Sequence, residues 1–178
     1  MFINSKQAEE SAVLNLAYAV CAAARTAPKT RGLDHIETAV LTGEDKDRLA
    51  MEMRKLCESF GDSAKFFCRD AGNVDKSLAV VLIGAKHDVR GLSDKCKLCG
   101  FESCAACVDA GASCVYTPMD LGIALGSAVS LVADNRVDNR IMFTIGQAAA
   151  KLGLLGEHKI IMGIPLAVSG KSVFYDRA

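Results

Sequence analysis

Five of the eight cysteines lie within nineteen residues, and they are the residues whose types and spacing most clearly imply chemistry. They are Cys96, Cys99, Cys104, Cys107 and Cys114. Protein cores use cysteine as a scattered small apolar residue, whereas thiols gathered in one turn-rich segment bind a metal or cluster, act in redox chemistry or form disulfides. The first residues lack the basic stretch and apolar run of a secretory signal. We therefore expect a cytoplasmic protein with reduced thiols, which favours a metal or cluster site.

The spacing inside the cysteine segment (residues 95–115) predicts how the thiols meet. The Cys96-x2-Cys99 pair bends the chain toward one metal or two adjacent irons, and Gly100 permits a tight turn there. Ser103 is a candidate cap for a short helix carrying the next two cysteines on one face. Structural zinc sites usually separate their cysteine pairs by roughly 12–20 residues, but only four residues separate the pairs here. This favours an iron–sulfur cluster, with zinc as the alternative. We predict three ligands and a fourth that is one of two cysteines: Cys96, Cys99 and Cys104, with Cys107 or Cys114.

The remaining cysteines are interpreted as structural. Cys21, Cys57 and Cys68 each lie beside apolar residues in predicted helices or strands. We expect all three in the core and inert to alkylating reagents.

Composition excludes several classes of function. The chain has 178 residues, 51% of them hydrophobic, and its 21 basic side chains balance 21 acidic ones. It therefore has no net field for nucleic acid, and without tryptophan it has few rings on which bases could stack. The longest uncharged apolar stretch, residues 121–133, is shorter than the ~20 residues of a membrane span. Isolated histidines and the absence of phosphate-loop or hydrolase motifs give no local catalytic signature. We expect neither nucleic acid nor a membrane as a partner.

Hydrophobic periodicity predicts one α+β domain over residues 1–178, with the cysteine segment as an insert. Asn4 and Gln7 have capping-box spacing before a helical stripe, and a second stripe ends at Gly61. Residues 78–85 form an apolar run typical of a central strand buried on both faces. Further predicted elements are strands at 35–42, 64–68 and 159–162 and helices at 120–134 and 137–152. We expect two layers, and an apolar tail, residues 163–178, that crosses to a second copy in a homodimer.

Two resemblances follow from these motifs. Cys96-x2-Cys99-Gly100-x3-Cys104 with a later Cys114 resembles the small four-iron–four-sulfur domain, which implies those four cysteines as ligands. The whole chain is similar to a prokaryotic family described as ferredoxin domain-containing proteins. The stretches that carry this similarity are 27–29, 120–129, 138–140, 163–165 and 174–177.

The order of the elements also resembles the FMN-dependent nitroreductases, which implies a nitroreductase-like mixed sheet with packed helices. In that family FMN lies at a dimer interface, between the turn after the first helix and the C-terminal region. The matching cations here are Arg25, Lys29, Arg31, Lys171 and Arg177.

Two classes of function are therefore expected. The first is an FMN-dependent oxidoreductase in which an iron–sulfur cluster exchanges electrons with the flavin. The second is a non-enzymatic module whose cysteines bind a cluster or zinc for electron transfer, metal sensing or folding. Flavin binding discriminates between them.

Overall fold

The computed structural model describes residues 1–156 and 159–175. In these residues the chain forms six α-helices and four β-strands, and the strands make one sheet in the order β1-β2-β4-β3 with antiparallel neighbours. In chain order the elements are α1 (Ser5–Thr26), β1 (Ile36–Leu41), α2 (Gly43–Phe60), α3 (Lys65–Asp75), β2 (Ala79–Lys86), α4 (Cys104–Asp109), α5 (Tyr116–Asp134), β3 (Asp138–Asn139), α6 (Phe143–Lys151) and β4 (Lys159–Ala167).

Helices cover both faces of the sheet. The first core lies under α1 and α5 and includes Val81 and Ile83 of β2. The second core lies under α2, α3 and α6 and includes Val80 and Leu82 of the same strand. The predicted α+β class and the central strand buried on both faces are thus confirmed. The expected two layers are wrong, because α2 and α3 bury an apolar stripe of their own on the second face of the sheet.

The first helix begins where its capping box predicts. The Asn4 side chain accepts a hydrogen bond from the Gln7 backbone N–H at 2.9 Å, and the Gln7 side chain accepts one from the Asn4 N–H at 3.1 Å. These two bonds satisfy donors that a helix start leaves free. Val13, Leu16 and Val20 then form the buried stripe of α1.

In the part of the chain that the structure describes, α5 is the one helix long and apolar enough to cross a membrane, judged by length and composition. In this fold, Leu121, Ala124 and Ala128 of α5 are buried in the first core. Its small residues Gly122 and Gly126 are exposed on the opposite side.

Two predicted elements are wrong for a tertiary reason. Residues 64–68 do not form an edge strand: Ala64 is the N-cap of α3, residues 65–68 are its first turn, and Phe67 and Val74 bury their side chains at helical spacing. Residues 137–152 do not form one helix, because Val137 is buried in the first core whereas Met142 and Ile145 are buried in the second. The chain rounds the edge of the sheet as β3 before α6 begins.

The last helix, α6, and the last strand, β4, lie unusually close together. A Cβ added at Gly146 of α6 would lie 1.7 Å from the Ile161 carbonyl oxygen of β4. This strand is also longer than the predicted 159–162. The tail that follows packs on its own chain in this structure, where Phe174 is 2% exposed in the second core. The predicted crossing of the tail to a second copy stays a prediction.

The structure changes the interpretation of two structural cysteines. Cys57 of α2 and Cys68 of α3 form a disulfide with their Cα atoms 5.6 Å apart. Cys57 is buried but Cys68 is exposed, so the expectation of two reduced core thiols is wrong. Cys21 packs half-buried against the first core. Burial raises the pKa of the Cys21 thiol and outweighs a hydrogen bond with Thr38 that lowers it.

Candidate metal centre

The cysteine segment lies in the connection between β2 and α5, and the backbone of this connection turns sharply. Gly91, Ser93, Lys97 and Gly100 all have positive φ, between 46° and 83°. For Ser93 and Lys97 this conformation is unfavourable unless surrounding contacts stabilise it. The Ser93 N–H donates to Cys104 Sγ at 3.1 Å, and Lys97 forms an ion pair with Glu102. The turn at Ser93 therefore brings a backbone N–H to the sulfur of Cys104.

The short helix α4 forms as predicted. Ser103 is its N-cap, and the Ser103 hydroxyl accepts a hydrogen bond from the Ala106 N–H at 3.1 Å. Cys104 occupies the first helical position and Cys107 lies one turn later.

Four of the five clustered cysteines line one narrow cavity. Apolar atoms of Leu92, Phe101 and Val115 share the wall with Arg90, Tyr116 and the thiols of Cys96, Cys99, Cys104 and Cys114. Burial raises the pKa of the Tyr116 hydroxyl, and the neighbouring Cys96, Cys114 and Asp120 raise it further. The cavity thus combines cysteine side chains with a mainly apolar wall of half-buried residues.

Cys107 is placed differently from the other four. It is fully buried and does not line the cavity, and its thiol faces the Ala112 carbonyl at 3.5 Å. Burial raises the pKa of the Cys107 thiol most, followed by a hydrogen bond with Cys99 and the charges of Cys99, Cys114 and Cys104. Cys107 is therefore a neighbour of the cavity thiols rather than one of its lining residues.

The cavity thiols do not converge on a single point. In residues 1–156 and 159–175, no three Cys, His, Asp or Glu side chains are arranged to hold one metal ion. A multi-iron cluster needs no such convergence, because each thiolate binds a separate iron. The donor set of four cysteines in a largely apolar cavity fits an iron–sulfur cluster, with Cys96, Cys99, Cys104 and Cys114 as the residues that would hold it.

Arg90, which lines this cavity, belongs to a buried ion pair. Arg90 and Asp120 have side chains only 1% and 2% exposed, and Nε of Arg90 lies 3.0 Å from Oδ2 of Asp120. The other oxygen, Oδ1, accepts hydrogen bonds from the backbone N–H and the hydroxyl of Thr30 at 2.9 and 2.8 Å. Arg31 donates to the Arg90 carbonyl at 2.7 Å. The cysteine cavity and the turn after α1 are therefore joined by a continuous hydrogen-bonded network.

Arg90, Asp120 and Thr30 were not among the site residues predicted from the sequence. Asp120 offered a signal, because it is the acidic residue that precedes a long uncharged stretch of helix, and such a charge needs a buried partner. Nothing local identified Arg90, which is an isolated basic residue in a loop.

The candidate flavin residues fall into two places. Arg25 and Lys29 lie at the turn after α1, where Arg25 pairs with Asp34 and Lys29 donates to the carbonyls of Arg25 and Ala27. Arg31 is in the same turn. Lys171 lies beside Lys76, near the start of β2 and so at the other end of the sheet. Arg177 lies outside the described residues. One chain therefore brings together the first three cations but not Lys171.

Comparisons with known proteins agree with the sequence resemblances. Residues 110–177 match the family described as "uncharacterized protein containing a ferredoxin domain" (DUF2148). That match includes Cys114 and begins after the other four clustered cysteines. A protein of Archaeoglobus fulgidus is 43% identical over 186 residues, an alignment that covers 100% of this chain and 98% of that protein.

Solved structures of nitroreductases share the fold. Nitroreductase CinD from Lactococcus lactis in complex with chloramphenicol aligns with a TM-score of 0.59 and 17% identity, over 92% of this chain and 84% of that one. A putative nitroreductase from Desulfovibrio desulfuricans in complex with FMN aligns with a TM-score of 0.57 and 13% identity, over 92% and 78%. The fold is nitroreductase-like.

Proposed function

The chain belongs to the family of proteins described as containing a ferredoxin domain, and on that premise we propose a redox protein whose cysteine segment binds an iron–sulfur cluster. The cluster is of the four-iron–four-sulfur type, held by Cys96, Cys99, Cys104 and Cys114. The observation that carries this proposal is that these four thiols line one cavity while the fifth, Cys107, lies behind it.

The second part of the proposal is an FMN site at the turn after α1, within a homodimer. The support is the nitroreductase-like fold and the grouping of Arg25, Lys29 and Arg31 at one turn. A phosphate dianion favours paired cations. The exposed Arg25–Asp34 pair contributes little to stability, so Arg25 can exchange Asp34 for a phosphate group at a small cost in free energy. In a homodimer, Lys171 or Arg177 of the second copy is the candidate to complete the site.

The two cofactors would supply complementary chemistry when bound: a flavin takes two electrons and releases them singly to a one-electron cluster. The chain's own residues hold and shield these groups. Leu92, Phe101 and Val115 give the cysteine cavity an apolar lining, and the Thr30–Asp120–Arg90 network fixes the turn relative to that cavity.

Anaerobic reconstitution tests the cluster. Protein purified and incubated with iron and sulfide without oxygen is expected to hold about four irons and four sulfides per chain, and to give an electron paramagnetic resonance signal on reduction. Cys96→Ser, Cys99→Ser, Cys104→Ser and Cys114→Ser should each lose most of the iron. The matched control is Cys107→Ser, which should retain it. Less than half an equivalent of iron in the wild-type protein would exclude the cluster.

A zinc site is the second candidate, and the contacts of Cys107 favour it. The Cys107 thiol forms a hydrogen bond with Cys99, and four cysteine thiols are a common zinc donor set. Cys99, Cys104, Cys107 and Cys114 would have to move closer together around the ion, because no three ligands in the described residues are already arranged to hold one. This alternative reverses the roles of two residues. Cys107→Ser would lose the metal and Cys96→Ser would keep it, and elemental analysis would find one zinc and little iron per chain.

FMN binding is tested by fluorescence titration of the anaerobically purified protein. We expect Arg25→Gln and Arg31→Gln each to weaken binding about tenfold, equivalent to ~1.4 kcal/mol. Arg48→Gln is the control, because Arg48 is an exposed arginine that pairs with Asp45 within α2. Sedimentation velocity measures assembly in the same samples. If the wild-type protein does not bind FMN at tens of micromolar, the non-enzymatic cluster module remains.

A further inference from the structure

The side chain of Arg90 is buried, charged and only partly satisfied. It is 1% exposed, with Nε bonded to Asp120 at 3.0 Å and Nη1 bonded to the Asp88 carbonyl at 2.9 Å. Among the described residues, Nη2 of Arg90 has no hydrogen-bond partner although it is shielded from water. A buried donor left unpaired is unfavourable by about 1–3 kcal/mol, more when it is charged, and native proteins seldom leave one.

The position of Arg90 identifies the acceptor that would satisfy it. Arg90 lines the same cavity as Cys96, Cys99, Cys104 and Cys114. The other groups around the guanidinium are already engaged, since the Asp88 carbonyl also accepts from the Thr117 hydroxyl at 3.1 Å and Asp120 also binds Thr30. Two hydroxyls also line the cavity, but the Ser103 hydroxyl already accepts from the Ala106 N–H and the Tyr116 hydroxyl is hydrogen-bonded with Cys96. Sulfur carrying negative charge is therefore the strongest acceptor that the cavity would offer.

We propose that Nη2 of Arg90 donates a hydrogen bond to a sulfur of the group held by the cavity cysteines, and that Arg90 thereby sets the reduction potential of that group. This inference rests on the proposed iron–sulfur site. Hydrogen bonds and positive charge near the sulfurs stabilise the reduced form, which carries one more negative charge, and so raise the potential. Arg90 is a positioning and tuning residue here rather than a ligand.

Asp120 and the turn after α1 hold Arg90 in place for this role. The carboxylate of Asp120 fixes Nε, and Arg31 fixes the Arg90 backbone through its carbonyl. The guanidinium is planar, so fixing Nε and Nη1 also fixes the direction of Nη2. One anchor, Arg31, belongs to the turn proposed for FMN, and the other, Asp120 of α5, accepts hydrogen bonds from Thr30 of that turn. Arg90 therefore lies between the two proposed sites.

The reduction potential of the reconstituted cluster provides the first test. In anaerobic redox titrations, Arg90→Lys and Arg90→Gln should lower the potential enough to change the oxidised-to-reduced ratio about tenfold at a fixed potential, about 59 mV for one electron. Lys95→Gln is the control. It removes a positive charge next to Cys96, but Lys95 is exposed, so solvent should screen its effect to well below that of Arg90. Equal potentials in the wild-type protein and the loaded Arg90 variants would overturn the proposal.

A second measurement uses the wild-type chain and does not depend on an Arg90 variant that folds. Protein labelled with ¹⁵N-arginine is reconstituted and reduced, and pulsed electron paramagnetic resonance detects ¹⁵N nuclei coupled to the cluster. We expect a coupling that disappears in Arg90→Lys and persists in Arg48→Lys, a substitution at an exposed arginine of α2 that pairs only with Asp45 among the ion pairs of the described residues. A cluster signal without ¹⁵N coupling would refute only the role of Arg90 and leave the proposed cluster site in place. The absence of any cluster signal would refute both the proposed site and the role of Arg90.

Discussion

Replacing Asp120 by alanine is expected to destabilise the protein strongly. The carboxylate is almost completely buried, pairs with Arg90 at 3.0 Å and accepts two hydrogen bonds from Thr30. In Asp120→Ala the buried guanidinium keeps its charge without a partner, a change that costs about 3–5 kcal/mol. The two Thr30 donors lose their acceptor in a part-buried turn that water can enter, which adds about 1 kcal/mol. We therefore expect the free energy of unfolding to fall by roughly 4–6 kcal/mol, a large share of the ~5–15 kcal/mol typical of a domain.

Urea unfolding followed by circular dichroism measures this change. The comparison is valid if the slope of free energy against urea stays the same, because the slope reports the surface exposed on unfolding. Asp134→Ala is the matched control. Asp134 is an exposed aspartate on the last turn of the same helix, where a negative charge is slightly unfavourable, so its loss should change stability by less than about 0.5 kcal/mol.

A double variant separates the buried charge from the loss of packing. Arg90→Met combined with Asp120→Leu replaces the ion pair with apolar side chains and should recover most of the stability lost in Asp120→Ala. A loss below about 1 kcal/mol in Asp120→Ala, at unchanged slope, would show that the pair is not buried as described.

Three further predictions concern packing and thiol chemistry. Gly146→Ala should lower the free energy of unfolding by about 3 kcal/mol or more, because the added Cβ would overlap the Ile161 carbonyl. Gly122→Ala, with open space at an exposed helix site, should raise the free energy of unfolding by about 0.5–1 kcal/mol. Similar melting temperatures for the two variants would contradict the close contact of α6 with β4. At pH 8, Cys21 should react with iodoacetamide more slowly in the folded protein than in the unfolded protein, because burial raises the pKa of its thiol and reduces the thiolate fraction. Equal rates would show that the thiol is not shielded. Phe174→Ala should lower the free energy of unfolding by about 3–5 kcal/mol, because a buried ring is lost. In urea unfolding this decrease should not depend on protein concentration. A decrease that does depend on concentration would indicate that the tail packs on a partner.

The sequence predicted the elements whose determinants are local. The capping box of Asn4 and Gln7 needs only three residues of spacing, and the apolar run of β2 needs only its own side chains. The helix that begins after Ser103 was predictable for the same reason. The gathering of the cavity cysteines also followed from short spacings along the chain.

The elements that failed depend on distant contacts. Residues 64–68 contain two adjacent phenylalanines, a composition typical of a strand. They form a helix because Phe67 packs against α2 in the second core, a contact that the local sequence does not reveal. The start of α6 depends on which face of the sheet each apolar residue covers, and periodicity alone does not carry that information. The partners of Arg90 are 30 residues away at Asp120 and 59 residues away at Arg31, so no local pattern could identify the network.

The disulfide between α2 and α3 has a practical consequence for preparing the protein. Cysteines must be reduced before they can bind iron, and a reductant able to keep the cavity cysteines reduced also acts on the Cys57–Cys68 disulfide. The metal-loaded chain and the disulfide-linked chain are then separate redox forms. In the reduced form, residues 61–64 and the packing of side chains such as Met53 and Phe67 hold the two helices together. A thiol titration of the unfolded, metal-free protein distinguishes the forms, because the linked chain has six free cysteines and the reduced chain has eight.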